Sequence, residues 1–296
     1  MSSYAFSIDL GGTTTNFSVF IAHEIMSEWT VQTPKNNVCD MLEREINNKI
    51  AELNLKSTDF KAVVVGIAGI VKDGIVGKAV NLNLPEGDFA DDLQSRVGIK
   101  VIVLNDVNLQ AIGESINYSS LFLVTIGTGI GAALIINNYL VEGFNGAAGE
   151  IGHIYFDSTT PDENASARGL VESAKNYLKS NDDFSSLRDF ETFTAQDIFN
   201  QAKFGDEVAL KIINGTYFKF GKLLGVICSA FDPEVIIISG GVSNAGDILL
   251  DIIQKGFNEV AFKKTEIRIS DLKEKAAVLG AMKIVDDLDG KNKSVQ

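Results

Sequence analysis

The sequence predicts an α/β protein of two domains built on a related plan. Three observations carry this. The runs Lys61 to Val71, Lys100 to Leu104 and Val235 to Ile238 are short, β-rich and apolar, as in parallel strands covered on both faces. Stretches with helical apolar spacing alternate with them. A strand, a glycine turn and a returning strand occur twice, once near each end of the first half of the chain.

The first such unit opens at Ala5. Phe6, Ile8 and Leu10 alternate with Ser7 and Asp9, which reads as a half-buried strand. Gly11-Gly12-Thr13-Thr14-Thr15 turns the chain, and Phe17 to Phe20 returns as the second strand of a hairpin. From Asn37 to Asn54, Val38, Leu42, Ile46, Ile50 and Leu53 recur at helical spacing. Asn105-Asp106 follows the run ending at Leu104, and Val107 to Glu114 reads as helix with Asp106 at the capping position. The second unit is Leu121 to Ile126, Gly127 to Gly131, and Ala132 to Ile136. Placing Gly11 on Gly127 sets Asp9 on Thr125 and Val19 on Ile135, which suggests a duplicated fold. Helices dominate after about Ala165. Thr194 to Asp197 is a capping-box-like start, Asp206 to Phe231 a long helix stopped by Pro233, and Lys273 to Asp286 the last helix.

A chain of 296 residues, 45% hydrophobic, can bury a large core. Its net charge of −13 opposes a nucleic-acid partner and docking on an anionic membrane. Cys39 and Cys228 lie far apart, so neither a disulfide framework nor a cysteine metal cluster is expected. The start Met1-Ser2-Ser3-Tyr4-Ala5 has no leader-like character, and no apolar run is long enough to span a membrane. A cytoplasmic protein is expected.

The chemistry gathers at glycine turns that follow buried strands. Glycine lets backbone approach a ligand and aims N–H groups at phosphate oxygens. No G-x-x-x-x-G-K-[ST] motif occurs. Gly127 to Ala132 satisfies the loose G-x-G-x-x-[G/A] dinucleotide pattern, but that motif must open a helix and a β-run follows here. Asp9 is either a turn carboxylate or the group that orients a metal-bound water beside ATP. Asp106 is either a helix cap or a general base at the carboxyl end of a strand. Glu150 and His153, amid the glycines of Gly146 to Gly152, either read sugar hydroxyls or form an ion pair on a surface loop. His23 receives no role.

Taken together these motifs resemble the sugar-kinase and repressor family known as ROK, within the actin–hexokinase superfamily, over about Ala5 to Val285. Asp9-Leu10-Gly11-Gly12-Thr13 resembles the family's first phosphate motif, and Thr125 to Gly131, with Thr128 and Gly129 at its tip, the second. Leu104 to Asn108 followed by Gly113-Glu114 is similar to the catalytic segment, and Gly146 to His153 to the sugar-binding signature. Ile238 to Ser243, with Gly240 and Gly241, is similar to the adenosine segment. The resemblance implies Asp106 as the base, with Asn105, Glu150, His153 and Glu172 on the sugar and Asn83 and Gly69 in sugar-side loops. Members usually carry a C-G-C-G-x-x-G-C run that binds zinc together with the histidine. Here the matching run is Glu163 to Leu170 without a cysteine, so no structural zinc is expected. Another group must then steady His153, and Asp157 and Asp162 are the candidates.

The resulting expectation is two ribonuclease-H-like domains of actin/hexokinase type, residues 1–108 with 275–296 and residues 109–274, with ATP and a sugar in the cleft between them. Asp106 activates the primary 6-hydroxyl of a hexose, glucose first and N-acetylmannosamine next. Asp9 holds Mg2+ through water, and a homodimer is expected. A sugar-responsive repressor would need a helix-turn-helix ahead of Ala5, where there is no room. A nicotinamide-dependent dehydrogenase using the Gly127 turn is the remaining alternative.

Overall fold

A computed structural model describes residues 3–77, 79, 82, 84, 88–288 and 290. The chain begins with β1 (Tyr4–Leu10), β2 (Thr14–Ile21), β3 (Glu24–Gln32), α1 (Val38–Glu52) and β4 (Phe60–Ile67). A small hairpin of β5 (Val71–Lys72) and β6 (Ile75–Val76) precedes α2 (Phe89–Val97), β7 (Val101–Asn105) and α3 (Asp106–Glu114). Next come β8 (Leu121–Ile126), β9 (Ile130–Ile136), β10 (Tyr139–Leu140), α4 (Pro161–Asn164), α5 (Ala167–Ser180) and α6 (Ala195–Lys203). The last elements are α7 (Glu207–Phe231), β11 (Val235–Ser239), α8 (Asp247–Val260), β12 (Glu266–Ile269) and α9 (Lys275–Leu288).

Two compact units result: residues 1–119, 133–148 and 274–296, and residues 120–132 and 149–273. The first sheet has the order β3-β2-β1-β4-β7 and the second β10-β9-β8-β11-β12. The orders match strand for strand, with β1 equivalent to β8 and β2 to β9. This is the duplication suggested by the two glycine turns. β1, β4 and β7 run parallel, as do β8, β11 and β12, so their carboxyl ends share one edge of each sheet. In the first unit Phe6, Ile8, Leu10, Phe17 and Val19 form the core with Leu42 and Ile46 of α1 and Leu93 of α2.

Several elements differ from expectation. β3 alternates exposed with half-buried residues and lies at a sheet edge, so its polar side chains hide it from an apolar pattern. The run Lys61 to Val71 is not one strand, because β4 stops at Ile67 and the chain turns before β5. The cap of α3 is Asn105, not Asp106. The long helix runs as expected, with Asp206 as its N-cap, and ends with Asp232 in the left-handed region at φ 44°, just before Pro233.

Candidate active site

Asp9 lies at the carboxyl end of β1. The hairpin register sets Asn16 opposite it, and the Asn16 side chain hydrogen-bonds its carboxylate. Asn16 Oδ1 accepts in turn from Thr30 Oγ1 at 2.8 Å. Burial pushes the Asp9 carboxyl above the usual range, the Asn16 bond lowers it, and Glu274 raises it further. A pocket of about 280 Å³ opens here, bordered by Asp9, Asn16, Thr30, Glu274 and Lys275. The adjoining glycine turn is clasped by Thr33, whose Oγ1 donates to the Gly11 carbonyl at 2.7 Å and lies 2.8 Å from Thr15 Oγ1. Thr33 N–H also donates to the Thr13 carbonyl at 2.9 Å, leaving Gly12 and Thr13 exposed at the tip.

Asn105 and Asp106 stand at the carboxyl end of β7. Asn105 is extended and precedes the first turn, the geometry that lets a short side chain reach the second and third helical amides. Its Oδ1 accepts from Val107 N–H at 2.9 Å and Asn108 N–H at 3.0 Å. Its Nδ2 donates to the Gly69 carbonyl at 3.0 Å. Asn105 can therefore offer a ligand only its second amide hydrogen. Asp106, half-buried at the first helical position, is relieved of capping. Gly66 of β4 lies beside it, where a Cβ would come 3.3 Å from Asp106 Cα and 3.0 Å from Leu109 Cδ2. Asn83 lies outside the described residues.

In the second unit, Gly127 N–H donates to the Gly129 carbonyl at 2.9 Å, and Thr128 and Gly129 are exposed. The turn leads into β9 rather than a helix, so the dinucleotide reading lacks its structural requirement. β11 pairs with β8 up to Ser239 and Thr125. Gly240, at φ 83°, then crosses the end of β8 so closely that a Cβ would lie 2.6 Å from the Ile126 carbonyl. Gly240 and Gly241 thus emerge beside the Gly127 turn.

Glu150 immediately precedes, and His153 ends, a single 3₁₀ turn, Ile151–His153, with Glu150 Oε2 at 3.8 Å from His153 Nε2. The imidazole side chain is 72% exposed, open to a ligand. Glu172 is on α5 and pairs with Lys175 at 2.8 Å. Both candidates for steadying His153 are engaged elsewhere. Asp157 pairs with Lys219 at 2.7 Å, which holds its carboxyl below the usual range. Asp162 Oδ1 accepts from Ile130 N–H at 2.6 Å.

The donor set does not fit zinc. Where the resemblance expects cysteines stand Glu163, Ala165 and Leu170. Ala165 and Leu170 are buried, and the Glu163 carboxylate completes a capping box with Thr160. Among the described residues, no three His, Cys, Asp or Glu side chains gather as a metal cage requires. Magnesium makes a smaller demand, one or two carboxylates plus substrate phosphates and water, and Asp9 fits it.

The sequence does not single out Asn16 or Thr33, and it points Asp162 at His153, whereas its partner is Ile130 N–H. Asn16 was readable by counting across the hairpin from Asp9. Thr33 and Asp162 meet their turns through chain returns that carry no local signal.

The ROK family matches residues 5–288. A glucokinase of Halalkalibacterium halodurans is 29% identical over 92% of each chain. A xylose repressor of Caldicellulosiruptor bescii is 27% identical over 92% of this chain and 74% of its own. Among solved structures, a ROK family glucokinase from Streptomyces griseus in complex with glucose and AMPPNP matches with a TM-score of 0.78 at 26% identity, over 96% of this chain and 100% of that one. With its paired five-stranded sheets and these matches, the chain belongs to the ROK family and has that family's two-domain, actin/hexokinase-like α/β fold.

Proposed function

We propose that this protein is an ATP-dependent sugar kinase that phosphorylates the primary 6-hydroxyl of a hexose, with Asp106 as general base. The observation that carries the reading is the pairing of Asn105 with Asp106. Asn105 supplies the N-cap of α3, and the Asp106 carboxyl group stands at the first helical position, directly after the carboxyl end of a parallel strand, the ligand side of an open α/β sheet. Asp106 takes the hydroxyl proton as the sugar oxygen bonds to the γ-phosphorus. The bond from that phosphorus to the bridging oxygen breaks, and ADP leaves. Glu150, His153, Glu172 and the second amide hydrogen of Asn105 hold the sugar, with Gly69 and Asn83 as further proposed sugar-side contacts. Amides of Gly11 to Thr13 and of Thr128 and Gly129 hold phosphate, and Gly240 and Gly241 border the adenosine. Mg2+, when bound, neutralises charge on the phosphates, and Asp9 is the residue that would hold it through water.

Glucose is the favoured sugar, in line with the glucokinase relatives, and N-acetylmannosamine is next. A homodimer is the proposed assembly, and sedimentation tests it. The xylose-repressor relative supports a second reading, a sugar-responsive regulator. The decisive experiment is a coupled assay for sugar-dependent ADP formation across glucose, N-acetylmannosamine, allose, fructose and a β-glucoside, with ATP and magnesium. Turnover with one of them supports the kinase. No turnover with any, together with sugar-modulated DNA binding, supports the regulator.

A further inference from the structure

The geometry points to Asp162 as a positioning residue that locks the Gly127–Gly131 turn to the Gly149–His153 segment without a metal. Asp162 Oδ1 accepts from Ile130 N–H at 2.6 Å. A Cβ on Gly129 would lie 3.4 Å from the same oxygen, so the carboxylate is in contact with the turn itself. On its other side is Gly152, where a Cβ would fall 2.7 Å from Asp162 Oδ1 and 2.4 Å from the Ile130 carbonyl. One carboxylate oxygen is thus wedged between the two segments, with glycine on both sides giving it room.

Asp162 is itself held firmly. Thr160 and Glu163 form a capping box around it, and Ser166 Oγ donates to the Asp162 carbonyl at 2.6 Å. The start of α5 ties the turn a second time, since Ala167 N–H donates to the Gly127 carbonyl at 2.8 Å. The segment 160–167, α4 and its link to α5, therefore grips the turn at both ends. If the turn holds ATP phosphate and Glu150 and His153 hold sugar, as proposed above, Asp162 fixes the spacing of the two recognition segments.

The test compares Asp162→Ala with Asp162→Asn, whose side-chain oxygen can still accept from Ile130 N–H. In Asp162→Ala the KM values for ATP and sugar are expected to rise about tenfold each, the effect of losing one partly buried hydrogen bond, with kcat changing less. Asp162→Asn is expected to stay near wild type. A purely structural role would lower melting temperature and active fraction but leave KM in place, and that result overturns the inference. Amide hydrogen exchange is read on the same proteins. Faster exchange in both 127–131 and 149–153 is expected for Asp162→Ala alone, and unchanged exchange in either segment overturns the inference. If wild type turns over no sugar, the kinase reading falls and exchange alone decides the role of Asp162. About one tightly held zinc per purified chain would also overturn it.

Discussion

Gly113 of α3 and Gly280 of α9 each face the other helix's backbone with no room for a side chain. A Cβ on Gly113 would come 1.9 Å from the Ala276 carbonyl oxygen, and one on Gly280 would come 2.1 Å from that of Leu109. The second unit repeats the arrangement with Gly221 of α7 and Gly256 of α8, at 2.1 Å from Ile253 O and 2.0 Å from Phe218 O. Glycine inside an exposed helix ordinarily costs about 1 kcal/mol relative to alanine. Here the sign reverses. Gly280→Ala must push the helices apart and is expected to lose about 1–3 kcal/mol, the usual range for overpacking. Urea unfolding checks this, and a midpoint at or above wild type refutes the close crossing.

Asp106→Asn preserves shape and leaves the Asn105 cap untouched, so the variant should fold with wild-type stability. Its turnover is expected to drop at least about 10²-fold, the lower range for losing a general base. Its KM for sugar should change much less. Near-normal turnover in a folded variant would remove Asp106 from the mechanism.

Asn16→Ala tests the environment of Asp9. Burial already raises that carboxyl, and Asn16 is the group that lowers it. Without Asn16 the proton stays on to higher pH, and a protonated carboxyl cannot hold a metal-bound water. The acid limb of kcat/KM against pH should therefore move upward. An unmoved limb means that Asp9 is not the group titrating there.

Added magnesium should be essential for turnover. The segments Asp9 to Thr15, Thr125 to Gly131 and Ile238 to Ser243 contain no lysine or arginine, so phosphate charge meets no fixed cation within them. EDTA should abolish phosphorylation and magnesium alone should restore it. Full activity in metal-free buffer contradicts this.

Both thiols should resist alkylation in the folded protein. Burial, reinforced by Asp92, pushes Cys39 up to about 11, and burial does the same for Cys228. Iodoacetamide at neutral pH should label the native protein slowly and the urea-unfolded protein much faster. Equal rates would show that the thiols are not shielded.

How much of this was legible depends on how local each signal is. The hairpin at Asp9, the turn at Gly127 and the long helix through Phe231 announce themselves through alternation, glycine and helical spacing within a few residues. β3 escaped notice because an edge strand needs only one apolar side and here mixes Trp29 and Val31 with Glu24, Glu28 and Gln32. The cap of α3 went to Asp106 in the sequence because Asn and Asp are equally good caps. Only backbone geometry shows that Asn105 is the extended residue. Thr33 and Asp162 reach Gly11 and Ile130 across 22 and 32 residues, and no pattern in the chain encodes such returns.

The place of α9 in the first unit has a consequence for the order in which the protein is made. At about 5–20 residues per second, the roughly 160 residues between the end of α3 and the start of α9 take the ribosome about 8–30 s. Throughout that time the helix carrying Gly113 has been synthesised without the helix that packs against it. β8, β11, β12, α7 and α8 all leave the ribosome within the same interval. The unit whose strands are translated first is therefore the one completed last, and a nascent chain carries an uncovered apolar face until α9 arrives.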